Sequence, residues 1–209
     1  MNRLSGAQRL ANRYRVMRHG ESKANAAGVI VSSIETDRSG DWGLSEAGRR
    51  QALEAARACG LAADTVICSS DFSRARQTAE IVRAELGAPE VIIAPALRER
   101  SFGDWEGTGV ANYSRVWAAD QADAGHPAGG VEPADAVLER ATALVTDLER
   151  RFADRDILLV SHGDTFQILQ AGFQRVAATG HRSLPHLGTA EIRALTLAPI
   201  PGPAVSQAG

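Results

Sequence analysis

Five short apolar runs rich in β-branched residues alternate along this chain with stretches of helical periodicity. Such alternation produces a mostly parallel sheet, because each strand regains the same end of the sheet through a helix laid on its face. The order therefore predicts an α/β protein: a three-layer α/β/α sandwich, with helices on both faces of a mostly parallel central sheet. The runs are Tyr14 to Met17, Thr65 to Cys68, Val91 to Ala94, Ile157 to Val160 and Glu191 to Leu197.

Between them, Ser45 is placed to cap a helix that runs to about Cys59, with Glu46 in its first turn and Gly60 just past its end. Asp71 reads as the cap of the next helix, which ends near Gly87. Pro133 suits the first turn of a long amphipathic helix, in which Val137, Ala141, Leu144, Val145, Leu148 and Phe152 recur at three- and four-residue spacing. Thr165 to about Val176 forms another. Gly107 to Gly130 reads as an irregular excursion with a short helix around Tyr113 to Asp120, and Pro199 to Gly209 as a disordered tail. One domain over residues 1–209 is expected, with its core from about 14 to 198.

A formal net charge of -2 lacks the positive excess that phosphate backbones select, so no nucleic-acid partner is expected. Of the 23 basic residues only Lys23 is lysine, a bias that weakens any argument built on one arginine. Cys59 and Cys68 sit in apolar contexts without metal-ligand spacing and read as buried, reduced core residues. Met1 to Arg13 carry scattered charge and no continuous apolar stretch. Neither a signal peptide nor a membrane span is expected there, and the protein reads as cytoplasmic. The oligomeric state is left open, a dimer included.

Ligands of an open α/β sheet bind beyond the carboxyl ends of its strands, where helix N-termini and loop amides meet. Four of the five runs deliver reactive side chains at that end. Tyr14 to Met17 leads into Arg18, His19, Gly20 and Glu21. Thr65 to Cys68 leads into Ser69, Ser70 and Asp71, then Arg74 and Arg76. Val91 to Ala94 is followed by Arg98, Glu99 and Arg100, and Ile157 to Val160 by Ser161, His162, Gly163 and Asp164. Two histidines, several arginines and a carboxyl suit phosphoryl transfer, which needs positive charge around three anionic oxygens, an in-line nucleophile and an acid on the leaving oxygen. Histidine serves as nucleophile because one ring nitrogen can be neutral near pH 7.

At these residues the chain resembles the histidine phosphatase superfamily. The signature is Arg18-His19-Gly20-Glu21-Ser22 with Asn25 three residues on, directly after a strand. Leu44-Ser45-Glu46-Ala47-Gly48, the segment from Ser69 to Ala79, Leu97 to Gly103, and Val160-Ser161-His162-Gly163 agree in order and character. The resemblance implies that His19 is the nucleophile, that Arg18, Arg74 and His162 bind the phosphoryl oxygens with help from Asn25, and that Glu99 protonates the leaving group and then activates water. Catalytic His19, Glu99 and His162 and substrate-binding Arg18, Asn25 and Arg74 make the expected site. No metal and no cofactor is called for.

Each residue has a structural alternative. Taken singly, His19 and His162 read as hydrogen-bonded structural groups, Arg18 and Arg74 as surface arginines, and Glu99 as half of an ion pair. Their conjunction at one end of the sheet, in the family's order, favours the catalytic reading. Arg76 is assigned to packing or pairing near the site; Glu21 and Asp164 are left out of the catalytic set, and His126, His181 and His186 have no motif behind them. Trp42, Phe102, Trp105, Tyr113 and Trp117 stand near the expected rim, where packing competes with substrate stacking. Ala24 stands where mutases of the family usually have tryptophan, and the stretch from Glu99 to His162 is short for their covering insertion. A thin cover favours hydrolysis. The expected activity is a phosphatase acting on a small phosphorylated substrate. Mutase-type transfer, a phosphoprotein phosphatase and a phosphate-binding module are its alternatives.

Overall fold

A computed structural model describes residues 1–200. In chain order the elements are β1 (Arg13–Arg18), α1 (Lys23–Ala27), α2 (Ile34–Ser39), α3 (Glu46–Ala58), β2 (Val66–Ser69), α4 (Ser73–Leu86), β3 (Ile92–Ile93), α5 (Tyr113–Ala122), α6 (Ala134–Arg151), β4 (Asp156–Ser161), α7 (Gly163–Gln174) and β5 (Ile192–Leu195), with short 3-10 turns between some of them. The sheet order is β3-β2-β4-β1-β5. The first four strands in that order pair in parallel and β5 joins the edge antiparallel to β1.

Period-two alternation along the strands sorts the core into two layers. Tyr14, Val16, Cys68, Ile157 and Leu159 face Val145 and Leu148 of α6 and Phe166, Leu169 and Phe173 of α7. Met17, Ile67, Leu158 and Val160 face the small residues Ala52, Ala56, Ala75 and Ala79 of α3 and α4. The three-layer α/β/α sandwich expected from the pattern is the fold observed. Among the described residues no helix is long and apolar enough to cross a membrane.

Ser45 caps α3 as expected, its side chain accepting from Gly48 N at 3.0 Å. Pro133 stands one residue earlier than expected, at the N-cap of α6. The cap expected from Asp71 is not made. Its carboxylate is claimed by Arg98 in a forked pair at 2.9 and 2.7 Å, a charge-assisted contact that outcompetes a neutral amide. The first amide of α4 is satisfied instead from outside the helix: Ser73 donates from N and from Oγ to Asp37 at 2.9 and 2.8 Å. Helices α1 and α2, which carry little hydrophobic period, were not expected. Cys68 is buried, but Cys59 is only half-buried, with its thiol donating to Ala56 O at 3.0 Å; both thiols are free. Of the expected tail, residues 201–209 lie outside the described residues.

Candidate active site

The carboxyl ends of β1, β2 and β4 meet above the centre of the sheet, and backbone hydrogen bonds lock their exits together. His19 N donates to Ser161 O at 2.9 Å and Ser70 N to Val160 O at 3.0 Å. Two glycines of separate motifs make this crowding possible. A Cβ on Gly20 would lie 2.3 Å from Gly48 O, and one on Gly48 would lie 2.0 Å from Glu21 O, so only hydrogen fits at either position. Gly20 N also donates to Thr78 Oγ1 at 3.1 Å, which tethers the turn after His19 to α4.

His19 is buried. Its Nδ1 lies 2.7 Å from Gly20 O, a carbonyl that can only accept, so the ring proton sits on Nδ1 and Nε2 keeps its lone pair. Burial first, then the charges of Arg74 and Arg18, hold the imidazole well below its usual range and therefore neutral. Arg74, carried on the first turn of α4, donates from Nε to His19 Nε2 at 3.1 Å and from Nη2 to Val31 O at 2.9 Å. Its Nη1 lies 3.7 Å from Asp37 Oδ1. His162, the N-cap of α7, lies edge-on to His19 with ring centroids 5.1 Å apart. Its Nε2 is 2.9 Å from Ser70 Oγ. Burial, Arg74 and His19 hold it, too, far below the ordinary imidazole value.

Arg18, adjacent to His19, donates from Nη1 to Leu187 O at 3.0 Å and contacts His186 Nε2 at 2.9 Å. No motif marked His186; the contact arises across 168 residues, beyond the reach of local pattern. Arg18 Nε, Arg74 Nη1 and His162 Nδ1 are buried and have no hydrogen-bond partner in the protein. Buried polar atoms are rarely left so, and two of these belong to arginines whose charge bears on the His19 ring and one to the histidine edge-on to it, a set of donors suited to an anion.

Glu99 forms no ion pair among the described residues. Its Oε1 accepts from Arg100 N at 3.0 Å, Thr165 Oγ1 at 3.3 Å and Thr165 N at 3.4 Å, which leaves Oε2 without a protein donor. Burial, followed by the charge of Asp164, raises its pKa above the usual carboxyl value, against the opposing pull of Arg74, the Arg100 amide and Arg18. Asn25 does not bond to this group. Its Oδ1 accepts from Ser22 N at 3.0 Å and Ser22 Oγ at 2.9 Å, closing the capping box of α1. Arg76 is exposed and makes no ion pair among the described residues, so the pairing expected of it is not there. Glu21 accepts from Ser45 Oγ at 2.6 Å, a structural contact.

Three of the five rim aromatics pack on one another. Tyr113 stacks on Trp117 at 5.3 Å and meets the buried Phe102 edge-on at 4.7 Å. Helix α5 thereby forms a roof, pinned to α7 where Trp117 Nε1 donates to Asp164 Oδ1 at 2.9 Å.

Comparison with known proteins identifies one family. A family model described as histidine phosphatase superfamily (branch 1) matches residues 15–200. The chain is 34% identical over 170 residues to a glucosyl-3-phosphoglycerate phosphatase of Mycolicibacterium vanbaalenii, a match that covers 75% of this chain and 71% of that one. It is 30% identical over 173 residues to a metal-independent phosphoserine phosphatase of Arabidopsis thaliana, covering 79% and 70% respectively. Among solved structures, a mycobacterial glucosyl-3-phosphoglycerate phosphatase complexed with VO3 superposes with a TM-score of 0.73 at 29% identity, covering 87% of this chain and 91% of that one.

Proposed function

The chain belongs to the histidine phosphatase superfamily, branch 1, and on that premise we propose that it hydrolyses small phosphomonoesters through a phosphohistidine formed on His19. The observation that carries this reading is the neutral His19 ring, its Nε2 lone pair 3.1 Å from Arg74 Nε, with Arg18, Arg74 and His162 each keeping one buried nitrogen free of a hydrogen bond. Relatives named for phosphoserine and glucosyl-3-phosphoglycerate support a small substrate.

In the first step His19 Nε2 attacks phosphorus while the bond to the ester oxygen breaks. Glu99 gives its proton from Oε2 to the departing oxygen, releasing the alcohol and leaving a phosphohistidine and a carboxylate. In the second step that carboxylate takes a proton from water as the water oxygen attacks phosphorus. His19 Nε2 departs with the bonding pair, and inorganic phosphate is released. Arg18, Arg74 and His162 hold the three equatorial oxygens through both steps, with the charge stabilisation that a loose transition state needs. Ser70 fits the assignment of His162: when its hydroxyl donates to Nε2, the ring proton is left on Nδ1, the unpartnered atom. Asn25, tied into its capping box, contributes its remaining amide hydrogens at the edge.

The test is acid-quenched turnover of a labelled phosphomonoester panel with no metal added. Histidine-bound label should be acid-labile and base-stable, and absent from H19A. Full turnover by H19A would overturn the assignment.

A further inference from the structure

We propose that Asp164 is a positioning residue for Glu99, keeping that acid protonated by means of a fixed negative charge behind it. The proposal rests on the reading of Glu99 as general acid given above. Asp164 lies in the first turn of α7, two residues past His162, and its residue is 5% exposed. Both of its oxygens are engaged: Oδ1 accepts from Trp117 Nε1 at 2.9 Å and Oδ2 from Arg100 Nη1 at 3.3 Å.

The distribution of charge around it is uneven. Arg100 is fully buried and directs its fork at Asp120, with Nη1 and Nη2 donating at 2.6 and 2.7 Å, and shares Nη1 with Asp164 through the longer bond. Arg182 Nη1 and His181 Nε2 each stand 3.8 Å from Asp164 Oδ1, outside hydrogen-bonding range. A carboxylate paired with Arg100 at 3.3 Å and more loosely with Arg182 at 3.8 Å thus occupies a low-dielectric site.

Glu99 is fastened to the same turn. The residues that hold its Oε1 are Thr165, next to Asp164 in the chain, and Arg100, bonded to Asp164 through its side chain. A like charge at this position opposes loss of the Glu99 proton, as does burial, and the direction of the shift on Glu99 agrees. The groups facing Glu99 from other elements are Arg18 on β1, Arg74 on α4 and Tyr113 on α5. Arg140 on α6 reaches only its backbone oxygen, at 3.5 Å. The two arginines bind phosphate and at the same time draw the proton off Glu99; Asp164 offsets that pull. Anchoring Trp117 requires only an acceptor at residue 164, so an amide there would keep the anchor and remove the carboxylate.

The experiment is the pH profile of kcat/KM for D164N, W117F and E99Q against an alkyl phosphomonoester and p-nitrophenyl phosphate, with thermal melts to verify folding. D164N keeps an acceptor for Trp117 and loses the charge. Its alkaline limb for the alkyl ester should move acidward by about one pH unit, so that activity near about pH 8 falls roughly tenfold. The aryl ester, whose leaving group needs little protonation, should lose less. W117F keeps the charge and should leave the limb in place, and D164S, a second variant without the charge, should repeat the D164N shift. An unmoved limb in folded D164N or D164S, an equal loss for both esters, or the same shift in W117F would overturn the proposal. If E99Q shows no selective loss on the alkyl ester, the underlying assignment of Glu99 fails instead.

Discussion

Arg74 donates from Nε to His19 Nε2 across 3.1 Å, so the nitrogen assigned as nucleophile is already engaged before a substrate arrives. In the proposed mechanism an incoming phosphoryl oxygen would take over that donor, and the guanidinium would move from holding the ring to holding the charge that the ring attacks. Removing Arg74 or Arg18 should therefore cost about a hundred- to a thousandfold in turnover, the scale of one lost oxyanion donor. Single-turnover assays of R74A and R18A measure this; a loss below tenfold in both would remove the arginines from the transition state.

His19 and Glu99 are shifted in opposite directions, and the signs matter. At ordinary values an imidazole holds its proton to higher pH than a carboxyl does, so a neutral histidine beside a protonated glutamic acid would be a minor species. Here burial and arginine charge depress His19, while burial and Asp164 raise Glu99. Both shifts populate the active combination. The acid limb of kcat/KM should lie below the usual imidazole range and stay in place in E99Q. The alkaline limb should lie above the usual carboxyl range and vanish in E99Q. A profile with limbs at the unshifted values would contradict the environment described.

The same two histidines tie stability to pH. His19 and His162 are depressed in the folded state, so the unfolded chain binds more protons as pH falls. Their contribution is complete above the unfolded imidazole value of about 6.5 and is lost as pH drops below it. Urea unfolding at about pH 7.5 and about pH 5.5 should show a larger drop for the wild type than for the H19Q/H162Q double variant.

Asp120 and Arg100 form a wholly buried pair. Deleting Asp120 leaves Arg100 with Asp164 as its carboxylate partner, at the longer bond, so D120A should lose about 3 kcal/mol in denaturant titration, far more than any exposed pair such as Arg13 with Asp156.

Gly48 offers a test of geometry alone. A Cβ there would meet Glu21 O at 2.0 Å, and the displaced segment follows His19 directly. G48A should be destabilised by about 1–3 kcal/mol and should also lower kcat, because the backbone shift is passed to the nucleophile.

The fold was legible because periodicity switches cleanly between two and about 3.6, and the strand ends announced where His19, Arg74, Glu99 and His162 would gather. What local pattern did not reveal were the partners supplied by distant segments. Asp71, in a position that suits a cap, is drawn away by Arg98 27 residues on, and the cap on Ser73 comes from Asp37, 36 residues before it. His186 reaches Arg18 from the loop before β5, with nothing in its neighbours to mark it. Helix α1 is built on the reciprocal bonds of Ser22 and Asn25 instead of an apolar stripe, so a residue matched to the family's substrate set also serves the backbone.

Asp37 carries two duties at once: it closes the amide end of α4 and stands beside the guanidinium of Arg74. Changes to residues 34–39 will therefore be felt as lost turnover on every ester alike. Engineering for a new substrate range belongs on the opposite bank, along Tyr113 and Trp117, where side chains can be exchanged without touching the pair that holds Arg74.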